Sequence, residues 1–241
     1  MNNRVKETYN QLANDYEHNV DTKSLFNTEY ERPAMMKLLP NDLRDKKVLD
    51  AGCAAGWYTE QLVNLGAEVT ATDISPKMIE ATKRRIGKNA KVLCMDLEEK
   101  LPFADETFDV ILSSLVLHYL KDWSKPFSEF RRILKPDGKL LFSVHHPFMD
   151  IKLSENGDYF STEFIIDQWE REGTLIEVPF YRRPLQEIVN ETAAYFLLEK
   201  LIEPQPTRAF QKVELVKYEK LMKSPHFMIV KAVKEKKGKT I

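Results

Sequence analysis

The stretch Val48-Leu49-Asp50-Ala51-Gly52-Cys53-Ala54-Ala55-Gly56-Trp57 decides the fold. A strand apolar enough to be buried runs into a turn of very small side chains, and a bulky tryptophan then opens a helix. Such a turn lets a ligand approach the backbone closely, at the N-terminus of the helix that follows. Outward from it, Lys47 to Ala51, Glu68 to Thr72, Lys91 to Met95, Phe108 to Ser114 and Lys139 to Val144 are short β-rich apolar runs separated by longer helix-forming stretches. Strands alternating with helices at this spacing predict a parallel sheet. The helices are signalled by Trp57 to Leu65 with Gly66 as a stop, by Ser75-Pro76 ahead of Lys77 to Arg85, and by Ser124 to Leu134 before Pro136-Asp137-Gly138.

After Val144 the alternation breaks. His146 to Tyr181 mixes aromatic and charged residues around one Asn156-Gly157 turn with no clean period, and reads as an irregular insertion over the active-site end. Regularity returns with a helix near Leu185 to Phe196 and strands near Leu197 to Glu203 and His226 to Val233; Lys234 to Ile241 is expected to be a solvated tail. The organisation expected is one domain over 1–241, with 1–40 as a helical cover and 147–183 as a substrate-side insertion.

With 241 residues, 43% of them hydrophobic, the chain can bury a substantial core. Its 36 Lys and Arg balance 37 Asp and Glu, so no overall positive field draws it to nucleic acid or to a membrane, and a small or neutral partner is expected. The longest apolar run, Val110 to Leu120, is short of the ~20 residues that a membrane helix needs. Met1 to Asn10 lacks an apolar signal-peptide core, so a cytoplasmic location is expected. Cys53 and Cys94 stand far apart without CxxC or a neighbouring His, which indicates neither a disulfide framework nor a metal site.

Asp50, Asp73 and Asp96 fall 23 residues apart, each closing one strand of a repeated βα unit. The three carboxylates should therefore line one edge of the sheet, where ligands of open α/β folds bind. Carboxylates there suit ribose hydroxyls, an adenine amino group and a cationic amino or sulfonium centre, and they repel phosphates. That points to a nucleoside without phosphates. The dinucleotide alternative fits poorly: GxGxxG would need a small residue where Trp57 follows Gly56, and Asp50 precedes the turn where pyrophosphate would disfavour it.

On Val48-Leu49-Asp50-Ala51-Gly52-Cys53 with Gly56, Thr72-Asp73-Ile74-Ser75-Pro76-Lys77-Met78, Asp96-Leu97 followed by Leu101-Pro102-Phe103, Phe108-Asp109-Val110-Ile111 and Leu134-Lys135-Pro136-Asp137-Gly138-Lys139, the chain resembles the class I S-adenosylmethionine-dependent methyltransferases, in particular the bacterial methyltransferase type 11 group. The resemblance implies a Rossmann-like α/β fold, a seven-stranded mostly parallel sheet with one reversed C-terminal strand and helices on both faces. It implies S-adenosyl-L-methionine as cofactor and S-adenosyl-L-homocysteine as product.

It also implies residue roles. Gly52 and Gly56, in the turn with Ala51 and Cys53, would close on the methionine part, and Asp50 would hold its ammonium. Asp73 would take the ribose hydroxyls, Ile74 and Met78 would pack on adenine, and Asp96 with the Leu97 amide would read the adenine edge. Ser113, in the fourth strand, joins this set. Ala54 departs from the family, where most relatives have glycine; at positive φ this costs on the order of 1 kcal/mol. Tyr9-Asn10-Gln11-Leu12-Ala13-Asn14-Asp15-Tyr16 resembles the family's N-terminal helix, whose aromatic residues cover the cofactor. Tyr9 and Tyr16, seven apart, share a helix face. Arg32 would bind the cofactor carboxylate or form a surface ion pair.

Methyl transfer from a sulfonium is an in-line displacement served by positioning and by exclusion of water, with no metal required. A nucleophile that must lose a proton can use a general base. The candidates are His146, His118 and His145, with His146 first because the chain turns there at Pro147. In the insertion, Phe148, Tyr159, Phe160, Phe164, Trp169, Phe180 and Tyr181 suit a planar or apolar acceptor, or else serve as the core of that segment. Arg182 or Arg183 would meet an anionic acceptor group. The expected function is methyl transfer to a small-molecule acceptor. The alternatives are a non-catalytic cofactor-binding regulator, or a methyltransferase acting on RNA or protein. The residues leave the oligomeric state open.

Overall fold

The computed structural model describes residues 2–171 and 173–236. In chain order, α1 (Asn2–His18), α2 (Val20–Lys23), a π-helical turn (Asn27–Glu31) and α3 (Arg32–Met36) precede the sheet. The alternating part follows: β1 (Lys47–Ala51), α4 (Trp57–Asn64), β2 (Glu68–Asp73), α5 (Pro76–Ile86), β3 (Lys91–Cys94), β4 (Phe108–Ser114), a 3-10 turn (Leu117–Tyr119), α6 (Ser124–Ile133) and β5 (Leu134–His145). Then come α7 (Pro147–Asp150), β6 (Glu163–Arg171), β7 (Thr174–Arg182), α8 (Leu185–Tyr195), β8 (Leu197–Ile202), α9 (Arg208–Val213), α10 (Leu215–Leu221) and β9 (Phe227–Val233).

Seven strands form one sheet in the order β3-β2-β1-β4-β5-β9-β8. The first five are mutually parallel, and β9 runs antiparallel to both its neighbours, so it is the single reversed strand. The order reverses between β1 and β4, the position at which α/β sheets open a crevice at their carboxyl ends.

The centre of β1, Val48-Leu49, is apolar because it is covered on both faces. Val48 joins Met35, Leu39, Leu62, Val110 and Leu141 on one side, while Leu49 joins Ile111, Phe127, Phe130, Phe142 and Val230 on the other. Local chemistry sets the helix ends. The Ser75 hydroxyl accepts the Met78 N–H at 3.1 Å, Pro76 occupies the first turn, and Gly87 ends α5 at φ +60°. Among the described residues no helix is long and apolar enough to cross a membrane.

Three expectations need correction. The segment read as irregular contains an antiparallel hairpin, with β6 paired to β7 from Glu163↔Arg182 to Arg171↔Thr174. Its period of two is blurred because Phe164 and Ile166 stay exposed while Ile165 and Trp169 face inward. Lys234 is no tail residue: it is buried, its backbone N–H meets Gly138 O, and its ammonium donates to Leu134 O at 2.6 Å. The rest of that segment from residue 237 lies outside the described residues. The helices α9 and α10 were not anticipated.

Candidate functional site

The carboxyl ends of β1 to β4, together with α1 and the segment around Arg32, enclose a cleft of about 1020 Å³ counted out to its mouth.

The turn after β1 forms the floor. Gly52 sits at φ +88°, and a Cβ there would lie 2.1 Å from Val116 Cγ2. Ala54 adopts φ +47°, so the left-handed conformation that disfavours alanine is present. Its backbone holds it there: its N–H donates to Asp73 Oδ2 at 2.9 Å and its carbonyl accepts from Thr82 Oγ1 at 2.6 Å. The Gly52 and Cys53 N–H groups are both spent on Thr72 O. With these donors used internally, the turn is no phosphate cradle.

Of the expected set, Tyr16, Gly52, Cys53, Asp73, Ile74, Asp96 and Leu97 line the cleft. Asp73 ends β2 with Oδ1 accepting the Ser75 N–H, and burial pushes its pKa up to about 6 against the backbone hydrogen bonds that lower it. Its carboxylate oxygens retain lone pairs for ligand hydroxyls.

Five expected residues lie behind the cleft surface. Asp50 is 1% exposed and accepts from Thr59 Oγ1 at 2.6 Å. Burial, reinforced by the Asp73 charge, pushes its pKa up to about 7, and it acts as a support for the turn. Ala51 belongs to the main core and Met78 to the contact between α1 and α5. Gly56 begins α4 at φ +86° against Thr82. Ser113 points into the sheet and donates to Ala51 O, and by strand alternation Ser114 faces the cleft instead.

The three histidines are not at the cleft wall. His146 is engaged at both nitrogens: Nδ1 accepts the Phe148 N–H at 3.0 Å, so Nε2 carries the proton and donates to Glu203 at 2.8 Å. It caps α7. His118 and His145 stack with centroids 4.0 Å apart. His118 is 3% exposed with neither nitrogen hydrogen-bonded, and burial, His145 and Arg183 hold its pKa well below the usual value.

Nor does the 147–183 segment supply a wall. Its inward residues Ile165, Val178 and Phe180 pack on Val5 and Tyr119, and Ile176 on Leu12 and Ala13, so the hairpin clamps α1 from outside. Arg182 is fully buried and donates to the carbonyls of Asp158, Tyr159 and Ser161, while Arg183 stacks on Trp123 and donates to Leu120 O. Neither faces the cleft.

Arg32, which the sequence singles out, and Arg85, which it does not, both line the cleft. Arg32 is no surface ion pair: it is 6% exposed, stacked 4.3 Å from Trp57, and 2.9 Å from Asp21. Arg85 binds the other oxygen of Asp21. Each guanidinium lines the cleft and keeps one Nη1 with no hydrogen-bond partner in the protein; for Arg32 the approach to Asp21 is short but misdirected for a hydrogen bond. Arg85 had a signal, since Met78, Ala81 and Arg85 share one helix face and a charge on that apolar face is anomalous. Beneath this corner Glu31, fully buried, accepts from Ser143, Ser114 and Tyr58 at 2.6, 2.8 and 2.8 Å and so fixes two cleft residues.

Residues 49–142 match the family model of a methyltransferase domain. A proposed S-adenosylmethionine-dependent methyltransferase of Listeria monocytogenes superimposes with a TM-score of 0.74 at 25% identity, covering 86% of this chain and 97% of that one. An uncharacterised Haemophilus influenzae protein is 28% identical over 226 residues, 86% of this chain and 88% of that one. The malonyl-[acyl-carrier protein] O-methyltransferase of Legionella pneumophila is 27% identical over 152 residues, 61% of this chain, which spans about half (51%) of that relative's length. Fold and matched domain define a Rossmann-like methyltransferase. Together they support a class I methyltransferase that uses S-adenosylmethionine.

Proposed function

We propose that the protein transfers a methyl group from S-adenosylmethionine to a small-molecule acceptor inside this cleft. The observation that carries the reading is the division of charge along the wall. Acceptors stand at the β2 and β3 ends, in Asp73 and Asp96. Two guanidiniums, Arg32 buried and Arg85 partly buried, each with an unused Nη1, meet at Asp21. A phosphate-free nucleoside joined to an amino acid matches that layout, with ribose on Asp73, adenine between Ile74 and Leu97 beside Asp96, and the carboxylate at Arg32 and Arg85.

When bound, the cofactor supplies an activated methyl group on a sulfonium. The work of this chain is then orientation and dryness. Gly52 lets the turn close on Val116 in the cleft wall, Tyr9, Tyr16 and Tyr119 shut out water, and Glu31 fixes Ser114 and Tyr58 in the wall. No histidine lines the cleft among the described residues, so positioning rather than a histidine base is the catalytic contribution favoured by the geometry.

Calorimetry with S-adenosylhomocysteine tests the reading. The protein should bind it and gain thermal stability with it, and NADH should do neither. In Asp73→Ala, two hydrogen bonds to a charged acceptor vanish, each worth roughly 1.5–3 kcal/mol, so affinity should fall by about 100-fold or more. Near-native affinity in a variant that still melts cooperatively would refute the ribose assignment.

A further inference from the structure

Cations are scarce where an acceptor would sit. Among the described residues, the charged side chains of the cleft are the carboxylates Asp21, Asp73 and Asp96 and the guanidiniums Arg32 and Arg85. Both guanidiniums converge on Asp21, and in the reading proposed above their remaining N–H groups serve the cofactor. The wall contributed by α1 and by the segment after β4 carries no formal charge: Val5, Tyr9, Leu115, Val116, Tyr119 and Leu120. An anionic acceptor group placed there would be desolvated without a counter-charge, in a cleft with more carboxylates than guanidiniums.

That wall holds one polar device. The Tyr9 and Tyr119 hydroxyls are 2.6 Å apart and hydrogen-bonded, with their rings edge to face at 5.3 Å, and Tyr16 adds a third ring 5.9 Å from Tyr9. Tyr9 donates to Tyr119 and is also hydrogen-bonded to Tyr16, so the Tyr119 O–H and several lone pairs stay unspent. Burial raises the pKa of both, so they stay protonated and able to donate at neutral pH. The pair bridges α1 to the Leu117–Tyr119 turn. Ile165, Val178 and Phe180 of the hairpin pack with Tyr119 in one cluster, which fixes the device against the protein.

We propose that the methyl acceptor is an uncharged, largely apolar molecule carrying a hydroxyl or comparable hydrogen-bonding group, seated on Val5 and Leu120 and oriented by the Tyr9–Tyr119 phenol pair. This rests on the cofactor reading, because only a cofactor carboxylate at Arg32 and Arg85 leaves the acceptor side without a cation. It separates this chain from an enzyme that must hold a free acid such as a malonyl group.

The test uses the full chain saturated with S-adenosylhomocysteine and two probes of one skeleton, 2-naphthol and 2-naphthoate, titrated by calorimetry. 2-Naphthol should bind saturably, and 2-naphthoate about tenfold more weakly or less. The Tyr9→Phe/Tyr119→Phe variant keeps both rings and removes both hydroxyls together, a change that is close to neutral for packing. It should weaken 2-naphthol about fivefold or more, measured with S-adenosylhomocysteine held at saturation for the variant. Tighter or equal binding of 2-naphthoate, no binding of 2-naphthol, or unchanged 2-naphthol affinity in a folded variant each overturns the proposal. The wild-type comparison decides the matter even if the variant fails to fold. Failure of the parent protein to bind S-adenosylhomocysteine would instead strike the cofactor reading on which the proposal stands.

Discussion

Replacing Gly52 with alanine measures how far steric exclusion shapes the floor of the cleft. Two costs are separable in the structure. The φ of +88° puts an L-residue in the left-handed region, at roughly 1–2 kcal/mol. The new Cβ would lie 2.1 Å from Val116 Cγ2 and 2.9 Å from Cγ1, an overlap that must displace Val116. Overpacking of this kind costs roughly 1–3 kcal/mol, so Gly52→Ala should lose about 2–5 kcal/mol of unfolding free energy. Urea denaturation followed by tryptophan fluorescence reads it directly. Val116→Ala removes both clashing methyls and leaves the backbone conformation as it was, so in the double variant the overlap is recovered and the φ cost remains. A coupling of about 1–3 kcal/mol between the two positions is therefore expected. Simple additivity, or a Gly52→Ala protein as stable as the parent, would refute the close approach of this turn to the segment after β4.

Asp50, pushed up to about 7 by burial, binds its proton more tightly folded than unfolded, where its pKa is near 3.8. Its favourable contribution is complete below about pH 4 and is lost as pH rises through about 7, so the parent-minus-Asp50→Asn stability difference should decline across that window. Urea titrations of both proteins at several pH values check this, and a difference that rises with pH would be the wrong sign. In the turn ahead of the hairpin, Phe160 is 73% exposed, and Phe160→Ala should move stability by less than about 0.5 kcal/mol. Trp169 packs near Leu12, Tyr9 and Tyr16, so Trp169→Ala should lower the melting temperature and weaken S-adenosylhomocysteine several-fold through α1. Equal effects of the two substitutions on the melt and on affinity would contradict the clamp.

The parallel half of the fold was legible because its signals are local. Val48 to Gly56, Ser75-Pro76 and the spaced aspartates each combine a strand end with a cap or turn, and the structure has β1, β2, β4 and α5 within a residue or so of the expected bounds. What stayed hidden depended on side-chain direction. Adjacent serines at 113 and 114 look alike in sequence, yet strand alternation buries one and gives the other to the cleft. Asp50 and Asp73 occupy like positions at two strand ends, but Asp50 is taken up by Thr59 across the first turn of α4. The histidines misled for a related reason, since His146 sits at a chain turn where its ring can cap the next helix, and that local hydrogen bond consumed it. The ion pair of Asp21 with Arg85 joins residues 64 apart in sequence, which no window of periodicity can reveal.

The place of β9 bears on how the molecule is assembled over time. It is the last strand of the described chain, yet it sits inside the sheet, bonded along one side to β5 and along the other to β8. Until residues 227–233 leave the ribosome, the free edges of β5 and β8 both remain open, with Leu197 and Leu201 of β8 exposed to solvent even in the finished fold. Two unpaired edges in a nascent chain are sites for wrong pairing, and closing them requires contacts such as His145↔Phe227 that span a long loop. The cleft edge, built by β1 to β4, needs none of those contacts. A chain arrested before Phe227 would therefore carry the ligand-binding half in sequence while lacking the strand that makes it one soluble sheet, and aggregation rather than loss of the cleft would be its first failure.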